Sequence, residues 1–184
     1  MSLNNGASFY AELAALQQTR EERLESIQKA VRYIEEAIEI RRDLGLRADL
    51  SASLNNGANL YAGLAALQQT REERLESVQK AVRYIEEAII IYRDLGLFFD
   101  LAHSLAISVF IYLEYLEFNE EVIAQLLQNC DEAIDIFETF ELPSKYCPLL
   151  QIGIKFHRLS YQTTKSIEHS ERINKYETLL LKCE

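Results

Sequence analysis

The chain has 184 residues, of which 48% are apolar, with 19 basic against 29 acidic residues and a net charge of −10. That length and apolar content can bury a sizeable core, as one domain or one continuous repeat stack. Six glycines and two prolines are too few for a turn-rich β architecture, so long helices are expected. The acidic balance argues against nucleic acid, whose phosphates require a basic surface, and would repel an anionic membrane; a basic partner fits it.

Residues 2–52 and 53–103 are two copies of one sequence at an offset of 51, differing at ten positions. A period of this order marks a repeat architecture, in which each unit buries its apolar face only against its neighbours. In the first copy, residues 2–18 carry Leu3, Phe9, Tyr10, Leu13 and Leu16 at helical spacing. Thr19-Arg20-Glu21-Glu22 then has the form of a capping box, so the helix stops near Gln18 and a second begins. That second helix places Leu24, Ile27, Val31, Ile34 and Ile38 on one stripe and ends at Leu44. Gly45 supplies the left-handed cap. At about 1.5 Å per residue it is roughly 37 Å long.

The second copy repeats the plan, with helices over 47–69 and from the Thr70–Glu73 box to Leu95, then Gly96. Glu39, Arg41, Arg47 and Ala48 become Ile90, Tyr92, Phe98 and Phe99. A polar first unit and an apolar second one suit an end layer followed by an interior layer; the bland alternative is drift after duplication. A third, diverged unit follows, with a helix over 98–118 and a second, capped by Asn119, running to about Phe140. Leu142-Pro143-Ser144 ends it, with Ser144 as the cap of the next helix. A fourth pair spans 145–162, with Pro148 in its first turn, and 165–182. The expectation is an all-α, α-α superhelix of four hairpins and eight helices, one repeat domain with units of about 2–45, 46–96, 97–142 and 143–184.

Cys130, Cys147 and Cys183 are widely spaced, odd in number and without a CxxC pair, which reads as reduced thiols in a cytoplasmic protein. The first twenty residues hold no signal-type apolar core. The apolar run Leu105–Leu113 is short against the ~20 residues of a bilayer span, so it is expected to be a buried helix and not a membrane anchor.

Leu54, Gly57, Ala58 and Tyr61 on the first helix, with Ala81, Ile85 and Ala88 on the second, resemble the tetratricopeptide (TPR) pattern. The stretches Ala52–Tyr61 and Glu86–Gly96 resemble its kinesin-light-chain-like branch. Leu3, Gly6, Ala7, Tyr10, Ala30, Ile34 and Ala37 repeat the pattern upstream. Leu105, Ser108, Val109 and Tyr112 carry a faded copy, and Leu149, Ile152, Gly153 and Phe156 another. Two departures stand out: Gly57 occupies a position where leucine is usual, and the interval from Tyr61 to Ala81 is about eleven residues longer than in the common repeat, close to three helical turns.

The resemblance implies a TPR-like solenoid whose first helices line a concave face that holds an extended peptide. Carried over by alignment, the partner-binding candidates are Asn5, Ser8, Asn55, Asn56, Asn59, Ile107, Phe110 and Gln151. Asn4, Glu12, Gly63, Ala106, Leu113, Ile154 and His157 share the face. Adjacent asparagines cost a few tenths of a kcal/mol each in a helix, and their amides can pair with peptide backbone of any sequence. The bland alternatives are that the asparagines cap helix ends or face water, and that Ile107, Phe110, Leu113 and Ile154 are core. The function expected is a non-enzymatic scaffold for a protein or peptide, without cofactor or metal: the three histidines are scattered and no E-x-x-H motif occurs. The alternatives are a self-association module, a homodimer through open solenoid ends, and the sensing segment of a larger signalling protein.

Overall fold

In a computed structural model, which describes residues 3–115 and 117–183, the chain is all-α. Eight helices and no strand occur among the described residues. They are α1 (Leu3–Leu16), α2 (Arg20–Asp43), α3 (Arg47–Leu67), α4 (Arg71–Leu95), α5 (Phe98–Tyr115), α6 (Glu120–Thr139), α7 (Pro143–Thr164) and α8 (Ile167–Leu180). Consecutive helices pair into four hairpins. The chain divides into two compact units, Met1–Leu97 and Phe98–Glu184, of two hairpins each. The division falls at a boundary between repeats.

The capping signals act where the sequence puts them. The Glu22 amide donates to the Thr19 hydroxyl at 3.2 Å and the Thr19 amide to the Glu22 carboxylate at 3.4 Å. Thr70 and Glu73 repeat both distances. Gly45 and Gly96 take φ of 67° and 68°, the region that only glycine enters without steric cost. The fifth helix ends at Tyr115 and not Phe118, and Leu116 lies outside the described residues, as does Ser2 at the start of the first. Asn119 accepts from the Val122 amide at 2.8 Å, as a cap should.

The start of α7 departs from expectation. Glu141 takes a positive φ of 54°, the chain turns early, and the cap position falls on Leu142 with Pro143 opening the helix. Proline suits that place because its missing N–H is one the first turn would leave unpaired. Ser144 therefore lies inside the helix, and Pro148 lies beyond the first turn.

In the first unit the core is Ala30, Ile34, Leu54, Ala58, Ala81, Ile85 and Ala88, all fully buried. The small residues let helices approach, so that the ring of Tyr84 lies against Gly57. Of the four changes to large apolar residues expected to build an interior layer, only Tyr92 is buried. Ile90, Phe98 and Phe99 stay 56%, 55% and 43% exposed, so most of that expectation is corrected. Phe99 nonetheless meets the rings of Phe137 and Phe140 edge to face.

The hairpins of the first unit are tied together at Glu35 of α2. Its Oε1 accepts from Tyr61 at 2.7 Å and Tyr84 at 3.3 Å, and from the Lys80 ammonium. Burial pushes the Glu35 carboxyl up, but the hydrogen bonds from Lys80 and Tyr61 outweigh it and hold the group below the ordinary glutamate range. Two turns on, Arg42 forks onto both oxygens of Glu87 at 2.7 and 2.8 Å.

In the second unit Leu105, Leu126, Ile134, Leu150 and Tyr176 are fully buried. Asp131 collects the Tyr176 hydroxyl at 2.5 Å and His157 Nε2 at 2.9 Å, and His157 Nδ1 meets His169 Nδ1 at 2.9 Å. Burial first, then the Asp131 carboxylate, pushes the Tyr176 hydroxyl well above the ordinary tyrosine range. The cysteine expectation is corrected here: Cys147 and Cys183 form a disulfide. The α7–α8 hairpin brings its two ends side by side, a juxtaposition that spacing along the chain does not reveal. Cys130 is the remaining free thiol, buried and pushed up to about 12 by desolvation, which leaves it a poor nucleophile.

The membrane expectation needs one correction. The apolar stretch is the whole of α5, 18 residues long and apolar enough to cross a bilayer by length and composition. Leu101, Leu105, Val109 and Ile111 on it are buried, the pattern of a core helix.

Candidate partner-binding cleft

Ser8, Asn56 and Asn59 come together. They rim a cleft of about 270 Å³ between α1 and α3, whose walls are Ala7, Ala11 and Leu60 and whose floor includes Ile27 of α2. Asn56 and Asn59 are one helical turn apart and therefore share a face. Both are exposed, as is Ser8. Alanine on the α1 side makes the room: larger side chains at positions 7 and 11 would fill the space. The rim is polar, offering hydroxyl and amide groups that both donate and accept, over an almost wholly apolar interior. The volume lies below the ~300–1,000 Å³ of small-molecule pockets and suits one or two side chains of a polypeptide.

The other candidates lie elsewhere. Asn5 is exposed on α1 and Asn55 half-buried on α3; neither lines the cleft. Asn4 is turned to packing, since its side-chain oxygen accepts from the Ser53 hydroxyl at 3.1 Å, and Ser53 in turn receives Arg41. Ile107 is half-buried on α5, Phe110 is 47% exposed and Gln151 is exposed on α7. These three belong to the second unit and do not share the cleft of Ser8, Asn56 and Asn59. Ile154 and His157 are buried. His157 is therefore corrected from a surface position to a core one, held there by Asp131 and His169.

Sequence reasoning missed Ala7, Ala11, Ile27 and Leu60. Ile27 reads as one more member of the apolar stripe of α2, and an alanine gives no signal that space has been left beside it. The second unit has a larger cleft, about 650 Å³, lined by Phe98, Leu127, Asp131, Asp135, Glu168 and Arg172 among others. Asp131 and Asp135 are engaged internally, Asp131 by His157 and Tyr176 and Asp135 by Arg172 at 3.0 Å and Lys175 at 2.8 Å, so this side reads as an ion network bracing α6 to α8. No group of three or more His, Cys, Asp or Glu residues among those described could hold a metal ion.

No family model matches the chain, and no curated protein does. Among solved structures it is similar to the de novo designed helical repeat protein DHR64, at 15% identity over 98% of this chain and 91% of that one, with a TM-score of 0.45. A structure titled "Computational Design of Self-Assembling Cyclic Protein Homooligomers" aligns at 13% identity over 99% and 81%, with a TM-score of 0.48. The DHF79 filament aligns at 14% over 96% and 95%, with a TM-score of 0.45.

Proposed function

We propose that this helical-repeat protein is a protein-interaction scaffold of TPR type whose first unit grips a polypeptide segment at the α1/α3 cleft. The observation that carries the reading is the meeting of Ser8, Asn56 and Asn59 around an apolar hollow sized for side chains. A peptide side chain enters over Ile27 and Leu60, while the asparagine amides pair with the peptide's backbone, an interaction that does not depend on peptide sequence. Each such hydrogen bond contributes about 0.5–1.5 kcal/mol net, so losing two weakens binding roughly tenfold or more.

The test is a random-peptide display selection on the full chain, followed by titration of the selected peptide. Asn56→Ala with Asn59→Ala should weaken it at least about tenfold, and Ala11→Phe, which fills the hollow, should abolish binding. Unchanged affinity in both variants, or a selection that returns no peptide, sinks the reading.

A further inference from the structure

The internal duplication contains its own control experiment. In the second copy, Tyr61, Lys80 and Tyr84 converge on the carboxylate of Glu35, delivered by α2 of the preceding hairpin. Fifty-one residues earlier the same three residue types stand as Tyr10, Lys29 and Tyr33. They line a cleft of about 430 Å³ together with Arg32 and Glu36. Here Lys29 turns to Glu25 on its own helix, at 2.6 Å, whereas Lys80 reaches across to the neighbouring hairpin. The tyrosines differ too. Tyr61 and Tyr84 meet edge to face at 76°, with both hydroxyls on the carboxylate, while Tyr10 and Tyr33 stack at 14°.

A second element completes the match. Glu36 is the counterpart of Glu87, and Glu87 receives Arg42, seven residues beyond Glu35 on the same helix face. The α1–α2 seam thus repeats both halves of the joint that fastens α2 to the α3–α4 hairpin: two phenols and an ammonium for a carboxylate, and a carboxylate for a guanidinium two turns away.

We infer that the Tyr10–Lys29–Tyr33 seam with Glu36 is a second docking site, which takes a helix of another polypeptide carrying glutamate and arginine seven residues apart. The occupant's chemistry is fixed by the intrachain joint: an Oε1 placed among Tyr10, Lys29 and Tyr33, an arginine on Glu36, and apolar residues between, as the buried Ala37 and Ile38 lie between Glu35 and Arg42. Lys29 exchanges an exposed partner on its own helix for one that is half-buried on docking. This seam is separate from the α1/α3 cleft, and neither site requires the other.

The probe is a fluorescein-labelled peptide of the α2 sequence, residues 19–45, stapled on its solvent face and verified as helical by circular dichroism. It is titrated by anisotropy onto the full chain. The peptide is expected to bind, and Lys29→Met in the chain or Glu35→Gln in the peptide should each weaken it about tenfold. Combined, the two changes should cost little more than either alone, because they remove the same contact. Glu36→Gln and a peptide Arg42→Met should behave as a second coupled pair. Lys29 and Glu36 are on the surface, so these variants keep the fold. Three results overturn the inference: no binding up to millimolar peptide; affinity lost through Lys80→Met but not Lys29→Met, which would place the peptide on the intrachain joint; or concentration-dependent dimers that Lys29→Met dissolves, which would assign the seam to a second copy of the chain.

Discussion

Gly57 and Gly63 lie on the same helix, α3, and the same substitution should have opposite effects at the two. Replacing a helical glycine by alanine gains about 1 kcal/mol from propensity wherever the new methyl has room. At Gly63 it has room: nothing lies within 4 Å of the added Cβ, and the first copy already carries Glu12 at the equivalent position. Gly63→Ala should therefore stabilise by about 0.5–1 kcal/mol.

At Gly57 the methyl would lie 2.8 Å from Tyr84 Cδ2, 3.2 Å from its Cε2 and 3.3 Å from Ile38 Cδ1. Tyr84 cannot yield freely. Its hydroxyl rests on Glu35, its ring meets Tyr61 edge to face, and the Lys80 ammonium lies 5.8 Å from its centroid. Overpacking of this kind costs about 1–3 kcal/mol, which cancels or exceeds the propensity gain. Because propensity enters both variants equally, the gap between them isolates the clash at about 1–3 kcal/mol. Gly6→Ala forms an intermediate case: its nearest contact is Tyr33 Cδ1 at 3.2 Å, and Tyr33 is exposed enough to shift. Urea melts followed by far-UV circular dichroism give the three stabilities. The order expected is Gly63→Ala, then Gly6→Ala, then Gly57→Ala least stable. Equal stabilisation at positions 57 and 63 would refute the close approach of α3 to Tyr84 on which the first unit's packing rests.

Two further outcomes are expected. Reducing the Cys147–Cys183 bond, which closes a loop of 36 residues, should destabilise the α7–α8 hairpin by about 2–4 kcal/mol; hydrogen exchange with and without reductant should show faster exchange there and no change in α3 or α4. Glu35 should give an acid-dependent term. Its folded pKa is lowered, so its contribution is present above the ordinary glutamate value of about 4.3 and is lost as pH falls through the lowered one. The stability gap between the native chain and Glu35→Gln should be full at neutral pH and shrink below about pH 4; a gap of the same size at pH 3 as at pH 7 would remove the carboxylate from the account.

What was legible in the sequence was local or periodic. A capping box spans four residues and acts within them, so Thr19 and Thr70 could be read directly. The stripe of Ile34 and Ala37, doubled at Ile85 and Ala88, needs only the helical period to face a core. What escaped was fixed by neighbours distant along the chain. The partners of Glu35 lie 26, 45 and 49 residues away, among many other glutamates on α2 that look the same in one dimension. The Cys147–Cys183 pair and the burial of His157 depend likewise on how α6, α7 and α8 pack. The α1/α3 cleft lies between these cases. Its polar rim was visible as conspicuous asparagines, but its hollow is made by alanines, and space leaves no residue to read. The duplication gave one way past this limit. Because Tyr10, Lys29 and Tyr33 repeat Tyr61, Lys80 and Tyr84 in a nearly identical stretch of sequence, the partner held by one set is the basis of the proposal made for the other. An internal repeat thus makes an interface comparable with itself, and the place where two equal sets of residues hold unequal partners is where a missing neighbour should be sought.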